Sequence, residues 1–213
     1  MKKISFRDPL SEVYIDGDKV IRKINSGTRS FFIELFKKDF FIEMHKNKWI
    51  QNSEIIENDN QISMLHQKID NFVELTEMSS YQLFLSGLHT INIAINSLNN
   101  GYLIKDASAW NVVFFRGKPL FLDIASFETW KNEKVWYGYG QFIRHFIIPL
   151  ILNKELNIPV SQLFMTSRDG IQPQDAFKQL GIKAFKSTIY LEFVLAPSIF
   201  KSSEIKRPIK SML

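Results

Sequence analysis

A chain of 213 residues with 45% apolar and 23% charged residues is long enough to bury a full hydrophobic core and has the mix of a globular protein in water. Its net charge of +5 comes from lysines spread along the chain, which suits an anionic ligand but forms no dense basic block, so nucleic acid is not expected as a partner. No cysteine occurs, which excludes disulfides and thiolate metal sites and accords with a cytoplasmic setting; MKKISFRDPL lacks the apolar stretch of a secretory signal, and the longest apolar run, near Phe146 to Leu152, is too short to span a bilayer.

Glu12 to Ile24 reads EVYIDGDKVIRKI, two alternating apolar runs about an Asp-Gly turn, and predicts a β-hairpin. Asn25-Ser26-Gly27-Thr28 breaks that pattern and can cap a helix after it. Phe32, Leu35, Phe36 and Phe40 then recur at helical spacing, so one or two helices are expected between Ser30 and Trp49. Gln51 to Asn60 is polar and reads as a loop, and Gln61 to Leu75 as short strands or a connector. Tyr81 to Leu98 predicts the clearest helix, with Thr76 or Ser79 to cap it, Phe84, Leu88, Ile91, Ile95 and Leu98 forming one apolar stripe, and Asn99-Asn100-Gly101 to end it. A further helix is expected over Tyr137 to Leu152, running into Pro149, then short helices and turns from Ile158 to Gln179, an apolar segment from Ile189 to Phe200, and a frayed basic tail. Strands and helices in segregated runs predict an α+β fold, not a doubly wound sheet, and no GxGxxG fingerprint supports dinucleotide binding.

The chemistry concentrates in LIKDASAWNVVFFRGKPLFLDIASF. It reads as a strand end, an acidic turn holding Asp106 and Asn111, a strand, an Arg-Gly-Lys turn, a second strand and Asp123. Closing that hairpin brings Asp123 beside Asn111, so that three oxygen donors can converge as a hard divalent cation requires. Ten Asp and fourteen Asn in the chain make roughly 0.7 Asp-x-x-x-x-Asn pairs by chance, so the weight lies in the context of helix before and strand-turn-strand after. The plainer alternative for Asp106 and Asn111 is an Asx turn that satisfies backbone donors after a helix. Trp110 is expected to pack the turn against the core, Gln141 and His145 to share one helix face with His145 as a structural histidine, and the other histidines to be scattered.

This order of motifs resembles protein kinases, from catalytic loop to metal-binding Asp. LIKDASAWNVVFFRGKPLFLDIASFE, WYGYGQFIRHFIIPLIL and YIDGDKVIRKI together resemble, over almost the whole chain, the kinase-like N-terminal region of bacterial nodulation-type, SAM-dependent methyltransferases. The resemblance implies a minimal, two-lobed, protein-kinase-like fold, with a small β lobe over residues 1–75 (a hairpin plus helix) and a helical lobe over 76–213. It implies ATP- and magnesium-dependent phosphoryl transfer to a hydroxyl on a sugar, glycan or other small molecule. Asp106 would orient that hydroxyl, Asn111 and Asp123 would hold magnesium, and Lys105 would meet phosphate charge. Arg22 or Lys23 would pair with phosphates, Glu34 would orient that cation, and Glu77 would cap the long helix or touch nucleotide between the lobes. The chain departs from the kinase pattern in having Ile-Ala after Asp123, Ile104 two residues before Asp106, and no glycine-rich loop before the first hairpin strand. The alternative implied is an inactive kinase-shaped domain that binds a ligand or partner for a methyltransferase domain or subunit.

Overall fold

A computed structural model describes residues 2–3, 11–58, 61–132 and 134–199. The predicted hairpin is present as β2 (Ser11–Asp16) and β3 (Lys19–Ile24), paired from Ser11↔Ile24 to Asp16↔Lys19. Gly17 takes φ +59°, the left-handed conformation that the tight turn requires. The short strand β1 (Lys2–Lys3) pairs with β2, and the residues that join them, 4–10, lie outside the described ones. The Asn25 side chain accepts from Gly27 N and caps the turn that leads into α1 (Arg29–Leu35) and α2 (Asp39–Lys46). Phe32, Leu35, Phe40, Phe41 and Met44 of these two helices are buried, as their spacing predicts.

The segment expected to be a loop is instead a strand. β4 (Ser53–Asn58) pairs along its length with β5 (Gln61–Gln67), which pairs in turn with β3. The upper lobe is thus a five-stranded antiparallel sheet in the order β1-β2-β3-β5-β4 with α1 and α2, more than a hairpin plus a helix. β4 is an edge strand, and an edge strand carries polar side chains without loss because one flank meets water.

After β6 (Phe72–Val73) and a turn at Leu75–Glu77 comes α3 (Ser80–Asn99). Its start is a capping box: Ser79 accepts from Gln82 N while the Gln82 side chain accepts from Ser79 N. The expected stripe, however, faces outward. Phe84, Leu88, Ile95 and Leu98 are exposed, whereas Leu83, Ser86, Gly87, Thr90, Ile93 and Ser97 are buried. Small inner residues let α3 lie close to its neighbours; a Cβ on Gly87 would stand 3.2 Å from the Phe146 ring.

β7 (Tyr102–Ile104), the acidic turn, β8 (Val112–Phe115), β9 (Lys118–Phe121) and β10 (Phe127–Thr129) come next. β8 and β9 form a three-stranded sheet with β6, and β10 pairs with β7. The rest of the described chain is helical: α4 (Tyr139–Phe142), α5 (Ile148–Leu156), α6 (Val160–Thr166), α7 (Pro173–Leu180), α8 (Thr188–Tyr190) and α9 (Ala196–Ile199). The helix expected to run into Pro149 passes through it. A π-helical turn at Ile143–Ile147 joins α4 to α5 and leaves slack where proline has no N–H to give. The Arg144 carbonyl accepts from Ile171 N at 3.0 Å instead.

The architecture is therefore α+β, with a small antiparallel sheet first and a mostly helical part second, in the element order expected of a minimal protein-kinase-like fold. One core gathers Ile24, α1, α2 and β5 together with Ile93, Ile104, Val112, Phe121 and Phe127, and so reaches across residue 75; a second fills the helical part. No helix among the described residues is long and apolar enough to cross a membrane. The tail expected to fray, from Lys201 onward, lies outside the described residues.

Candidate active site

A cleft of about 1190 Å³ opens between the sheet and the helical part. Its walls include Val13, Val20, Arg22 and His66 from above and Lys105, Asp106, Asn111, Asp123 and Gln141 from below. The acidic turn is held in place by its own backbone. Asp106 Oδ1 accepts from Ser108 N at 2.9 Å, the Asx turn of the plainer alternative, and the same carboxylate lines the cleft. Asn111 Nδ2 donates to the Asp106 carbonyl at 3.4 Å, which spends the amide nitrogen on the loop and leaves the carbonyl oxygen as the half able to ligate. Leu122 N donates to the Asn111 carbonyl at 2.8 Å, and this bond sets Asp123 beside the turn once β8 and β9 have closed. Ser126 Oγ and Ser126 N both donate to the Asp123 carbonyl, fixing its backbone. Lys105 is fastened by its N–H to the Ser126 carbonyl, and the residue is half-buried at the cleft wall.

The choice between Arg22 and Lys23 comes from strand alternation. Arg22 points into the cleft, and its Nη2 lies 3.3 Å from Asp123 Oδ1. Lys23 points the other way, with its ammonium 4.9 Å from the centre of the Tyr14 ring. Glu34 is not brought to either; it pairs with Lys38 at 2.8 Å and borders a separate, smaller hollow beside Tyr102. Glu77 lies in the turn before α3 and is not among the residues that line the cleft.

Three further residues come to the site. Gln141 Oε1 accepts from Ala107 N at 2.9 Å, so α4 holds the residue next to Asp106. His145 does share a face with Gln141 and meets the same turn, with Nδ1 3.4 Å from Ser108 Oγ. Burial, reinforced by Arg144, pushes His145 down to about 4, so the ring is neutral at pH 7. The signal for this pair was the four-residue spacing alone, which places two side chains together without saying what they touch. His66, isolated in the sequence, enters the cleft because β5 sits beside β3, opposite Val20. It shares a hydrogen bond of 2.6 Å with Ser53 Oγ, and burial followed by the nearby Arg22 charge lowers it to about 4.

The turn is also braced from outside. Trp110 packs on the helical core, edge-on to Phe164, and its Nε1 donates to the Arg168 carbonyl at 2.7 Å. The chain then passes over the π-helical turn at Gly170, where φ is +79° and a Cβ would stand 2.8 Å from both Arg144 Cβ and His145 Cδ2. Only glycine fits there, and the loop that supports Trp110 depends on it.

The donor set of Asp106, Asn111 and Asp123 is all oxygen, which fits magnesium and not a soft metal. Among the described residues no cluster of three or more His, Asp or Glu side chains forms a metal cage of protein groups alone.

No family model matches the chain. Nodulation protein NoeA of Rhizobium meliloti (strain 1021) is 23% identical over 212 residues, covering 93% of this chain. The chain spans 43% of the length of that relative. Among solved structures, the PK-1 kinase of Cydia pomonella granulovirus aligns over 87% of this chain and 68% of its own, with 14% identity and a TM-score of 0.47. The PknI kinase domain of Mycobacterium tuberculosis aligns over 68% of this chain and 72% of its own, with 13% identity and a TM-score of 0.41.

Proposed function

We propose that the cleft binds ATP with magnesium and transfers the terminal phosphoryl group to a hydroxyl, on a sugar or another small molecule. The observation that carries this reading is that one cleft holds Asp106, Asn111 and Asp123, with Arg22 reaching Asp123 from the opposite wall. Asp106 would accept the hydrogen bond of the attacking hydroxyl and orient it. Asn111 and Asp123 would hold magnesium, whose charge would offset that of the phosphates. Arg22 would then turn from Asp123 to phosphate, which its planar, always-charged guanidinium matches well, and Lys105 would add charge at the wall. Val13 and Val20 offer the apolar surface that a flat base requires. Such a site works by positioning and charge neutralisation, since the chemistry lies in the substrates.

A second reading is a ligand-binding domain without turnover, associated with a methyltransferase domain or subunit. It is favoured by the Arg22–Asp123 ion pair, which engages the carboxylate that magnesium would need, and by Ile-Ala where kinases have Phe-Gly after that Asp.

Calorimetry separates the two. Under the first reading, the wild type binds ATP only when magnesium is present, Asp123→Ala loses that dependence, and a screen of hydroxyl compounds finds one that releases ADP. Binding that depends on Asp123 with no ADP release for any acceptor supports the second reading. A wild type that ignores ATP and magnesium alike removes both nucleotide roles.

A further inference from the structure

The outward face of α3 is not built for water. Tyr81 is 67% exposed, Phe84 46%, Leu88 47%, Ile95 52% and Leu98 41%. With the half-buried Ile91 they fall at 81, 84, 88, 91, 95 and 98, steps of three and four that repeat every seven residues. A chain that is 23% charged has on average about five charged residues in a stretch the length of this helix, and α3, at 20 residues, has no Asp, Glu, Lys or Arg. Solvated helix faces carry such charges, and apolar rows of this size mark contacts.

We propose that this row is the interface with a second copy of the chain, α3 packing antiparallel against α3 about a two-fold axis that passes between Leu88 and Ile91. The steps of three and four call for a helix as partner, because only a helix offers knobs at the same period. The flanks of the row, Leu85, Asn92 and Asn99 on one side and Gly87 and Ala94 on the other, are neutral. Two copies of a molecule with net charge +5 can therefore meet along α3 with no like charges of this helix opposed, whereas an acidic partner would find no cation on it to pair with. Antiparallel packing also sets the aromatic end, Tyr81 and Phe84, against the aliphatic end, Ile95 and Leu98, of the other copy, so that large residues face smaller ones. A two-fold contact of this kind closes on itself and leaves no row exposed.

Sedimentation equilibrium on the whole chain at about 100 µM, where even weak pairs form, is expected to give a dimer. Leu88→Glu should weaken it about 100-fold, by burying a carboxylate without a partner at the centre of the contact. Circular dichroism of that variant should match the wild type, since Leu88 is exposed in the single chain. Ile182→Glu, at a position 89% exposed away from α3, should leave the dimer intact. Because the chain has no cysteine, Leu88→Cys should form a disulfide-linked dimer on mild oxidation. Leu98→Cys should not, as its two copies would lie about 25 Å apart along the helix axes. A monomeric wild type, or a dimer indifferent to Leu88→Glu, overturns the proposal and gives the face to a different protein or to further chain. A Leu98→Cys variant that also links overturns the antiparallel arrangement.

Discussion

Two antiparallel hairpins close on the same cleft, β2–β3 from above and β8–β9 from below, and they are fixed to the molecule in different ways. In the lower hairpin Val112, Val113, Phe114, Leu120 and Phe121 are buried, and Phe121 is 0% exposed. Its end is tied at both backbone atoms of Phe121, whose N–H donates to the Trp49 carbonyl and whose carbonyl accepts from Gln51 N. In the upper hairpin only Ile24, at its very end, is buried among the residues whose side chains are described. The carboxylates and the amide thus stand on a deeply buried base, while the cation that faces them is carried by a hairpin whose side chains are mostly half-buried or exposed. Groups that must meet a ligand in a fixed geometry gain from such a base, and groups that must release one partner for another gain from the looser mounting.

The largest expected effect tests that contrast directly. Phe121→Ala should cost about 3–5 kcal/mol of stability, and Val13→Ala in the upper hairpin less than about 1 kcal/mol, measured by chemical denaturation. Equal losses would break the comparison.

The next effect uses one histidine on the upper wall of the cleft and one buried against the acidic turn. His66 above and His145 below are both held near 4 against an ordinary 6.5, burial being the main cause for each. Each ring is neutral in the folded chain and takes up a proton more readily when unfolded. The stability it lends is therefore full above pH 6.5 and is lost as the pH falls from there toward 4. At pH 5 the loss is about 2 kcal/mol for each ring relative to pH 7. Denaturation midpoints at the two pH values check this, and His66→Gln and His145→Gln should each remove about half of the acid loss. A midpoint that does not move between pH 7 and pH 5 would contradict the burial of both rings.

The smallest expected effect on stability sharpens the contrast most. Arg22 and Asp123 are about one-fifth exposed, at 20% and 23%, and their pair should be worth under about 1 kcal/mol to the fold. Arg22→Met should then leave the denaturation midpoint nearly unchanged, yet lower ATP affinity in the presence of magnesium by about tenfold or more. A large loss of stability with unchanged affinity would make Arg22 a structural residue.

Much of this was legible in the sequence, and the parts that were not share a cause. The two hairpins, the helices around Phe32 and Phe40 and the extent of α3 come from local pattern and turn chemistry, which the backbone obeys nearby. β4 was hidden because Ser53–Asn58 is an edge strand whose only described partner is β5, and a strand half in water needs no long apolar run. The direction of the α3 stripe was hidden because periodicity reports that a face exists, not what meets it. Here Gly87 and the buried Ser86, Thr90 and Ser97 give the inner face its close approach, and small residues carry little apolar signal. That Asp106, Asn111 and Asp123 come to one cleft was legible because one hairpin joins them. The facing of Arg22, the separation of Glu34 from it, and the entry of His66 and Gln141 depend on sheet order and helix placement, which no local spacing encodes.

The carbonyl of Trp49 accepts twice, from His89 Nε2 at 2.7 Å and from Phe121 N at 3.0 Å. The end of α2 is thereby riveted to the floor of the cleft, although by sequence it belongs to the roof. Lifting the whole roof as one body would tear those bonds and the one from Gln51 N, whereas tilting the outer strands alone leaves them whole. The easy breathing motion is then at the rim formed by β1 and β2, the strands outside β3 in the sheet, and under the proposed function a nucleotide would enter beneath that rim and not past α2.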